Sequence, residues 1–152
     1  MKIISIIFLT LLLCKVLNSN ENESIEITAE TMEWNKQEGK AIAIGNAKAI
    51  KGATVIKANK IVAVMAKTDN KKIEKLLANG NIKFTKDNQI ASGNKAVYYL
   101  EQDKIIIKGN VSLERDGNII KGEKLVIDFL TGLSKMESSK PNQKVKMKYS
   151  TE

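Results

Sequence analysis

A Gly-Asn pair recurs three times in this chain, at Gly45-Asn46, Gly80-Asn81 and Gly109-Asn110, and each glycine is followed 13 positions later by a small residue, Ala58, Gly93 or Gly122. Alternating strand-forming runs follow both marks. After the pairs come Ala47-Lys48-Ala49-Ile50, Ile82-Lys83-Phe84 and Val111-Ser112-Leu113. After the small residues come Asn59-Lys60-Ile61-Val62, Asn94-Lys95-Ala96-Val97-Tyr98 and Glu123-Lys124-Leu125-Val126-Ile127. A lone copy of the second half stands near the start, from Ile25 to Met32, with Ala29 as its small residue. The steps between successive small residues are 29, 35 and 29 positions. One supersecondary unit is being stacked, and units of this kind bury their apolar faces only against their neighbours.

From Ile25 to Leu133 the apolar pattern has a period of two, and no helix-length stretch of period 3.6 interrupts it. Pro141, the single proline, lies outside this region. Turn-forming residues divide it at short intervals, among them Asn35–Gly39, Gly45-Asn46, Lys51-Gly52, Lys86–Asn88 and Asp116–Asn118. The pattern predicts an all-β sandwich, barrel or roll of about 11 to 13 short strands.

Strand parity then assigns faces. Asp128 belongs outside, which turns Leu125, Ile127 and Phe129 inward. The matching positions in the other copies are Met32 and Trp34, then Ile61, Ala63 and Met65, then Ala96, Tyr98 and Leu100. In the Gly-Asn strands Lys48, Lys83 and Ser112 point out, so Ala47 and Ala49, Ile82 and Phe84, and Val111 and Leu113 point in. Small residues at Ala29, Ala58, Gly93 and Gly122 suit bends or bulges, where a side chain would crowd the next strand. The interior set forms either a filled core or an apolar trough in a roll that does not close, and parity cannot separate the two.

The first 20 residues read as a secretory signal peptide. Met1-Lys2 opens with positive charge, Ile3 to Leu13 is apolar or hydroxyl-bearing, and Lys15 and a polar stretch end the run. About 11 apolar residues are too few to cross roughly 30 Å of hydrocarbon. Cleavage near residues 19–20 would remove two of the 25 basic residues, none of the 17 acidic ones and the one cysteine, leaving 23 basic residues and net +6. The remaining domain, residues 21–152, would hold neither Cys nor His. Arg115 is its one arginine, so its positive charge is a diffuse, hydrated lysine surface suited to acidic partners without naming one. Near the end, Lys144-Val145-Lys146-Met147-Lys148-Tyr149 alternates cleanly. It reads as a frayed basic tail or as a last edge strand presenting Val145, Met147 and Tyr149 on one face.

These features exclude much chemistry. Without His or Cys, the usual zinc sites, thiol nucleophiles and Ser-His-Asp arrangements are unavailable. The carboxylates are scattered, each Gly-Asn pair leads into a strand rather than a helix, and no aromatic platform accompanies the basic charge. The residues argue against an enzyme and against a nucleic-acid partner.

The run from Ile25-Glu26-Ile27-Thr28-Ala29-Glu30 through Gly39-Lys40-Ala41-Ile42-Ala43-Ile44-Gly45-Asn46 to Ile56-Lys57-Ala58-Asn59-Lys60-Ile61 resembles the OstA-like (LptA) family of lipopolysaccharide-transport proteins. Later pieces fit in order: Ala78-Asn79-Gly80-Asn81-Ile82, Ala96-Val97-Tyr98-Tyr99-Leu100, Ile107-Lys108-Gly109-Asn110-Val111 and Lys121-Gly122-Glu123-Lys124-Leu125. The family often has Ala-Asp where this chain has Ala29-Glu30 and Ala58-Asn59, a difference expected at a turn position. The resemblance implies a twisted, open β-jellyroll whose interior takes the acyl chains of lipid A, with Ile25, Ile27, Phe84, Tyr98 and Leu100 on or beside the acyl-contacting positions. It implies a periplasmic bridge without cofactor or covalent chemistry, driven by a transporter's ATPase. Head-to-tail homo-oligomers would pair an N-terminal edge at Ile25 and Ile27 with a C-terminal edge at Val145, Met147 and Tyr149. The stack would join an anchored inner-membrane component to the outer-membrane assembly protein. The membrane-anchored member of the same system, or a non-lipid-binding structural surface protein, are the alternatives.

Overall fold

A computed structural model of the chain describes residues 24–150, and the expected signal peptide lies outside them. Ten strands form one antiparallel sheet: β1 (Ile25–Thr28), β2 (Thr31–Asn35), β3 (Lys40–Lys51), β4 (Thr54–Met65), β5 (Ile73–Lys86), β6 (Gln89–Tyr99), β7 (Lys104–Arg115), β8 (Asn118–Asp128), β9 (Leu133–Glu137) and β10 (Lys146–Lys148). Neighbours run in the order β1-β3-β4-β5-β6-β7-β8-β10, with β2 added beside β3 and β9 beside β8. The described residues contain no helix.

The repeat marks turn out to be corners inside strands, not turns between them. Pairing breaks between Ile44 and Ala47, Lys57 and Lys60, Asn79 and Ile82, Ser92 and Lys95, and Lys108 and Val111. Each break spans a Gly-Asn pair or a small residue with its polar successor. Gly45, Gly80 and Gly109 have φ of 84°, 80° and 84°, and Asn46, Asn81 and Asn110 have 44°, 49° and 48°. Left-handed backbone of this kind suits glycine and is tolerated by asparagine, so the pair supplies a bulge that bends the strand sharply. The strands number ten rather than the expected 11 to 13, and six of them, β3 to β8, continue through their corners.

Every corner lies beside the next, so the sheet folds along one line into two facing wings. The distance between wing tips proves the fold. Straight, the eleven residues of β6 would extend roughly 33 Å at about 3.3 Å per step. Yet Lys86, just before its start, reaches Asp103, just after its end, at 2.6 Å.

Three apolar rows line the inside. In the first wing Ile27, Ala49, Ile56, Phe84, Ala91, Leu113, Ile120 and Met147 are paired one to the next across eight strands. In the second, one row runs Met32, Ala43, Ile61, Ala78, Ala96, Ile107, Leu125, Met136, and another runs Trp34, Ala41, Ala63, Leu76, Tyr98, Ile105, Ile127, Ser134. Ile61, Ala63, Phe84, Ala91, Ile105, Ile107 and Leu125 are wholly inaccessible to solvent. A trough open along its length would leave them wet. The middle of the roll is therefore filled.

Size is graded with distance from the corner. Where the wings converge, one partner of each pair is small: Ala47 opposite Ala58, Ile82 opposite Gly93, Val111 opposite Gly122. A Cβ on Gly93 would lie 2.5 Å from the Ile107 methyl, and one on Gly122 would lie 2.6 Å from Met136 and 2.9 Å from a backbone oxygen. We expect Gly122→Ala to cost about 1–3 kcal/mol by overpacking. Gly117→Ala, in a hairpin turn with positive φ but open space around it, should cost less. Urea unfolding midpoints of the two variants check the order.

Candidate functional site

Two kinds of feature stand out: an apolar interior sealed at one seam, and two open ends. The interior owes its shape to the corners, and the corners are held by a polar side chain that follows each small residue. Glu30 lies over Gly45 and accepts a hydrogen bond from the Asn46 amide, while its own backbone N–H donates to the Gly45 carbonyl at 3.0 Å. Asn59 lies over Gly80 and accepts from the Asn81 amide at 3.3 Å, and Asn94 lies over Gly109. Glu123 accepts from the Asn110 backbone N–H at 3.3 Å. The sequence carried this signal as the dipeptides Ala29-Glu30, Ala58-Asn59, Gly93-Asn94 and Gly122-Glu123. Their polar members are clasps on the corners rather than the turn residues expected.

Opposite the corners the wing tips meet. The Lys86 ammonium donates to Asp103 at 2.6 Å, the Tyr98 hydroxyl donates to the other Asp103 oxygen at 2.6 Å, and the ammonium sits 4.1 Å above the Phe129 ring. Phe84 of the first wing stacks on Phe129 with centroids 5.7 Å apart and tilts against Tyr98 at 6.5 Å. Ion pair and rings together close the seam between the wings. Burial pushes the Asp103 carboxyl up, but hydrogen bonds from Lys86 and Tyr98 and the charges of Lys86 and Lys51 outweigh it and hold the group below its ordinary value. Nothing in the sequence joined Lys86 to Asp103, since their meeting depends on β6 bending midway.

The sequence-derived interior residues fall as follows. Ile61, Met65, Ile82, Phe84, Ala96, Tyr98, Val111, Leu113, Leu125 and Ile127 are buried in one core, and Ile27, Leu100 and Phe129 pack against it. Ile25 is half-buried on the edge strand β1. Met32 and Trp34 depart from expectation: they share a face with Ala43 and Ala41 but are 53% and 64% exposed. Their parity is inward, yet β2 is an edge strand and the next strand that would cover them is missing.

Each end of the roll presents two edge strands, one per wing. β1 and β2 edge the N-terminal end, and β10 and β9 edge the C-terminal end. Parity had identified β1 and β10 but not β2 and β9. Lys144–Tyr149 does supply an edge strand, shortened to Lys146–Lys148, with Met147 and Tyr149 59% and 66% exposed and Val145 at the margin. On the outward side, Glu26 and Glu33 stand at one end and Lys135, Lys146 and Lys148 at the other. Glu137 on β9 is held down to about 2 by hydrogen bonds from Lys135 at 2.7 Å and Lys124 at 2.9 Å. Outer faces also carry lysines directly opposite one another, Lys48 with Lys57 and Lys57 with Lys83, around a depression of about 270 Å³. Such like-charged pairs are unfavourable for the sheet alone.

A ten-stranded antiparallel sheet bent into a roll, with a filled apolar interior and edge strands at both ends, defines the class of fold. The chain belongs to the LptA/(LptD N-terminal domain) LPS transport protein family, whose model matches residues 26–132. Among solved structures it is similar to LptH, the LptA homologous periplasmic component of the conserved lipopolysaccharide transport device from Pseudomonas aeruginosa. The TM-score is 0.76 at 18% identity, over 85% of this chain and 96% of that one, so the likeness is one of fold. Comparison with curated protein sequences gave no match.

The seam generates a pH prediction. A carboxyl whose folded-state value is depressed contributes stability above its unfolded value and loses that contribution as pH falls through the folded one. Asp103→Asn should cost about 1–3 kcal/mol near neutrality. The gap to the parent should shrink as pH drops below 3.8, the ordinary value of the group. Chemical unfolding of both proteins across that range measures it.

Proposed function

We propose that this chain is a periplasmic bridge for lipopolysaccharide, holding the acyl chains of lipid A between its two wings and passing them along a head-to-tail stack. The stack would connect an anchored inner-membrane transport component to the outer-membrane assembly protein. The observation that carries this reading is the continuity of the apolar rows, which run without a charged residue from one open edge to the other. A protein folded for itself alone would end such rows under a covering element. Here they end at Ile27, Met32 and Trp34 on one side and at Met147, Met136 and Ser134 on the other.

Strand direction allows the stacking in both wings at once. Seven antiparallel steps separate β1 from β10, and seven separate β2 from β9, so each pair runs in opposite directions. A second copy placed end to end would continue both wings as antiparallel sheet without reversal. Backbone hydrogen bonds of the edges supply most of such a contact, and exposed Glu–Lys pairs add about 0–1 kcal/mol each. The lysine surface favours an acidic cargo and acidic surroundings.

Two measurements test the two halves of this reading. Photocrosslinking groups at Phe84 or Tyr98 should capture lipopolysaccharide, whereas the same group at Lys83 or Tyr99, on the outer face, should not. Equal capture at both parities would overturn the interior site. For assembly, deleting residues 141–152 removes β10 and should leave the β-sheet circular dichroism nearly unchanged. The shortened protein should stay monomeric at concentrations where the full chain forms rods, as read by light scattering. Association equal to that of the full chain would exclude β10 as the joint.

A further inference from the structure

The filled interior raises a question that the transport reading, on which this inference rests, leaves open: where an acyl chain gets in. Among the described residues the backbone ladders all run between neighbouring strands within a wing, so the backbone joins the wings along the corner line alone. Across the seam the described ties are side chains: the Lys86–Asp103 ion pair, the Lys86 ammonium over the Phe129 ring, and the Phe84 ring against Phe129 and Tyr98, while the Tyr98–Asp103 hydrogen bond holds Asp103 within its own wing. Parting the wings there breaks no ladder hydrogen bond. The residues so uncovered are Phe84 and Tyr98, the largest fully buried side chains of the roll.

We propose that the Lys86–Asp103–Phe129 cluster is the port of the interior, which must part to admit an acyl chain, and that Lys86 then receives an anionic phosphate head. The chemistry of the handover follows from what parting leaves behind. Asp103 moves away with its own wing, keeping the hydrogen bond from Tyr98 and gaining water in place of the ammonium. Lys86, whose side chain is only 17% exposed, loses both its carboxylate and its ring partner. Parting leaves that ammonium at the mouth without its anion, and a phosphate at the root of an entering acyl chain can take the carboxylate's place in a charge-assisted hydrogen bond. An amphiphile with an anionic head thus replaces both halves of the seam, chain for ring and phosphate for carboxylate. A neutral amphiphile replaces only one.

The test locks the seam. In the full chain carrying Cys14→Ser, the substitutions Lys86→Cys and Asp103→Cys allow the wing tips to be joined by a bis-methanethiosulfonate crosslinker, which a reductant cleaves. Capture of lipid A should fall at least tenfold on locking and return on reduction, with circular dichroism unchanged throughout. Capture by the locked form within twofold of the reduced form would overturn the port. A parent chain that captures no lipid A would instead overturn the transport reading itself. The head is tested separately with Lys86→Gln, which should abolish the parent's preference for lipid A over its dephosphorylated form. A preference that survives this change unaltered would remove Lys86 from head recognition and leave it a strap.

Discussion

The structure depends on one backbone event, a strand that turns a corner without ending. At Gly45-Asn46, Gly80-Asn81 and Gly109-Asn110 two consecutive residues take left-handed backbone in the middle of a pairing strand. Repeated on successive strands and stacked in line, these corners fold a ten-stranded sheet onto itself. They also set the composition of the interior. Near the fold line the wings are too close for two large side chains, hence Ala47 against Ala58 and Gly93 beneath Ile107. Farther out the gap widens and Phe84, Tyr98 and Phe129 fill it. The chain is poor in aromatics because only the outer part of a wedge has room for them.

This geometry explains which parts of the molecule could be read from the sequence. Parity is a property of a single strand, and it placed Leu125, Ile127, Phe84 and Tyr98 inside correctly. Burial is a property of neighbours. Met32 and Trp34 have the inward parity of Ala43 and Ala41 but no strand beyond them, and nothing in their local sequence says so. Strand number failed for a related reason. Gly-Asn is also one of the dipeptides that close two-residue hairpins, and only the break in register distinguishes a corner from a turn. The Asp116-Gly117 pair, with φ of 51° and 75° and strands on both sides that reverse direction, shows the same residue chemistry making a true turn. The Lys86–Asp103 seam was illegible altogether, since two residues 17 apart meet only after β6 has folded in half.

Open ends and a closed seam place the molecule's free surfaces where a stack and a cargo would each need them. An edge strand exposes unpaired N–H and C=O groups, which invite uncontrolled association unless charge or shape limits the partners. Here Glu26 and Glu33 flank one end, and Lys135, Lys146 and Lys148 flank the other with Glu137 among them, so in the proposed stack unlike ends would be favoured over like ones. Charge contributes selectivity, while the backbone contributes the bond. The two-wing arrangement raises that selectivity further. In the proposed stack a partner would have to meet β10 and β9 together, across the corner between them, which a single flat sheet edge does not match.

On the proposed transport reading, a carrier of acyl chains would have to be stable when empty and yet yield to its cargo, and the division of forces in this fold suits both demands. Hydrogen bonds are confined within each wing, where every strand except the edges is paired on both sides. Between the wings the described attraction is mostly apolar and non-directional, with the Lys86 ammonium on Asp103 and over the Phe129 ring as its polar part. Exchanging side-chain contacts for contacts with a hydrocarbon chain is then nearly neutral for the protein, because one apolar surface replaces another. The chain itself gains about 0.8 kcal/mol for each methylene it withdraws from water. Were the wings cross-linked by backbone hydrogen bonds, as in a closed barrel, every step of opening would break bonds that no acyl chain could restore. The corners thus act as a row of hinges whose register is already interrupted, so flexing them costs no ladder pairing. A sheet folded at bulges is stiff along its strands and compliant across its mouth, which is the mechanical property that taking up a fatty chain from the side requires.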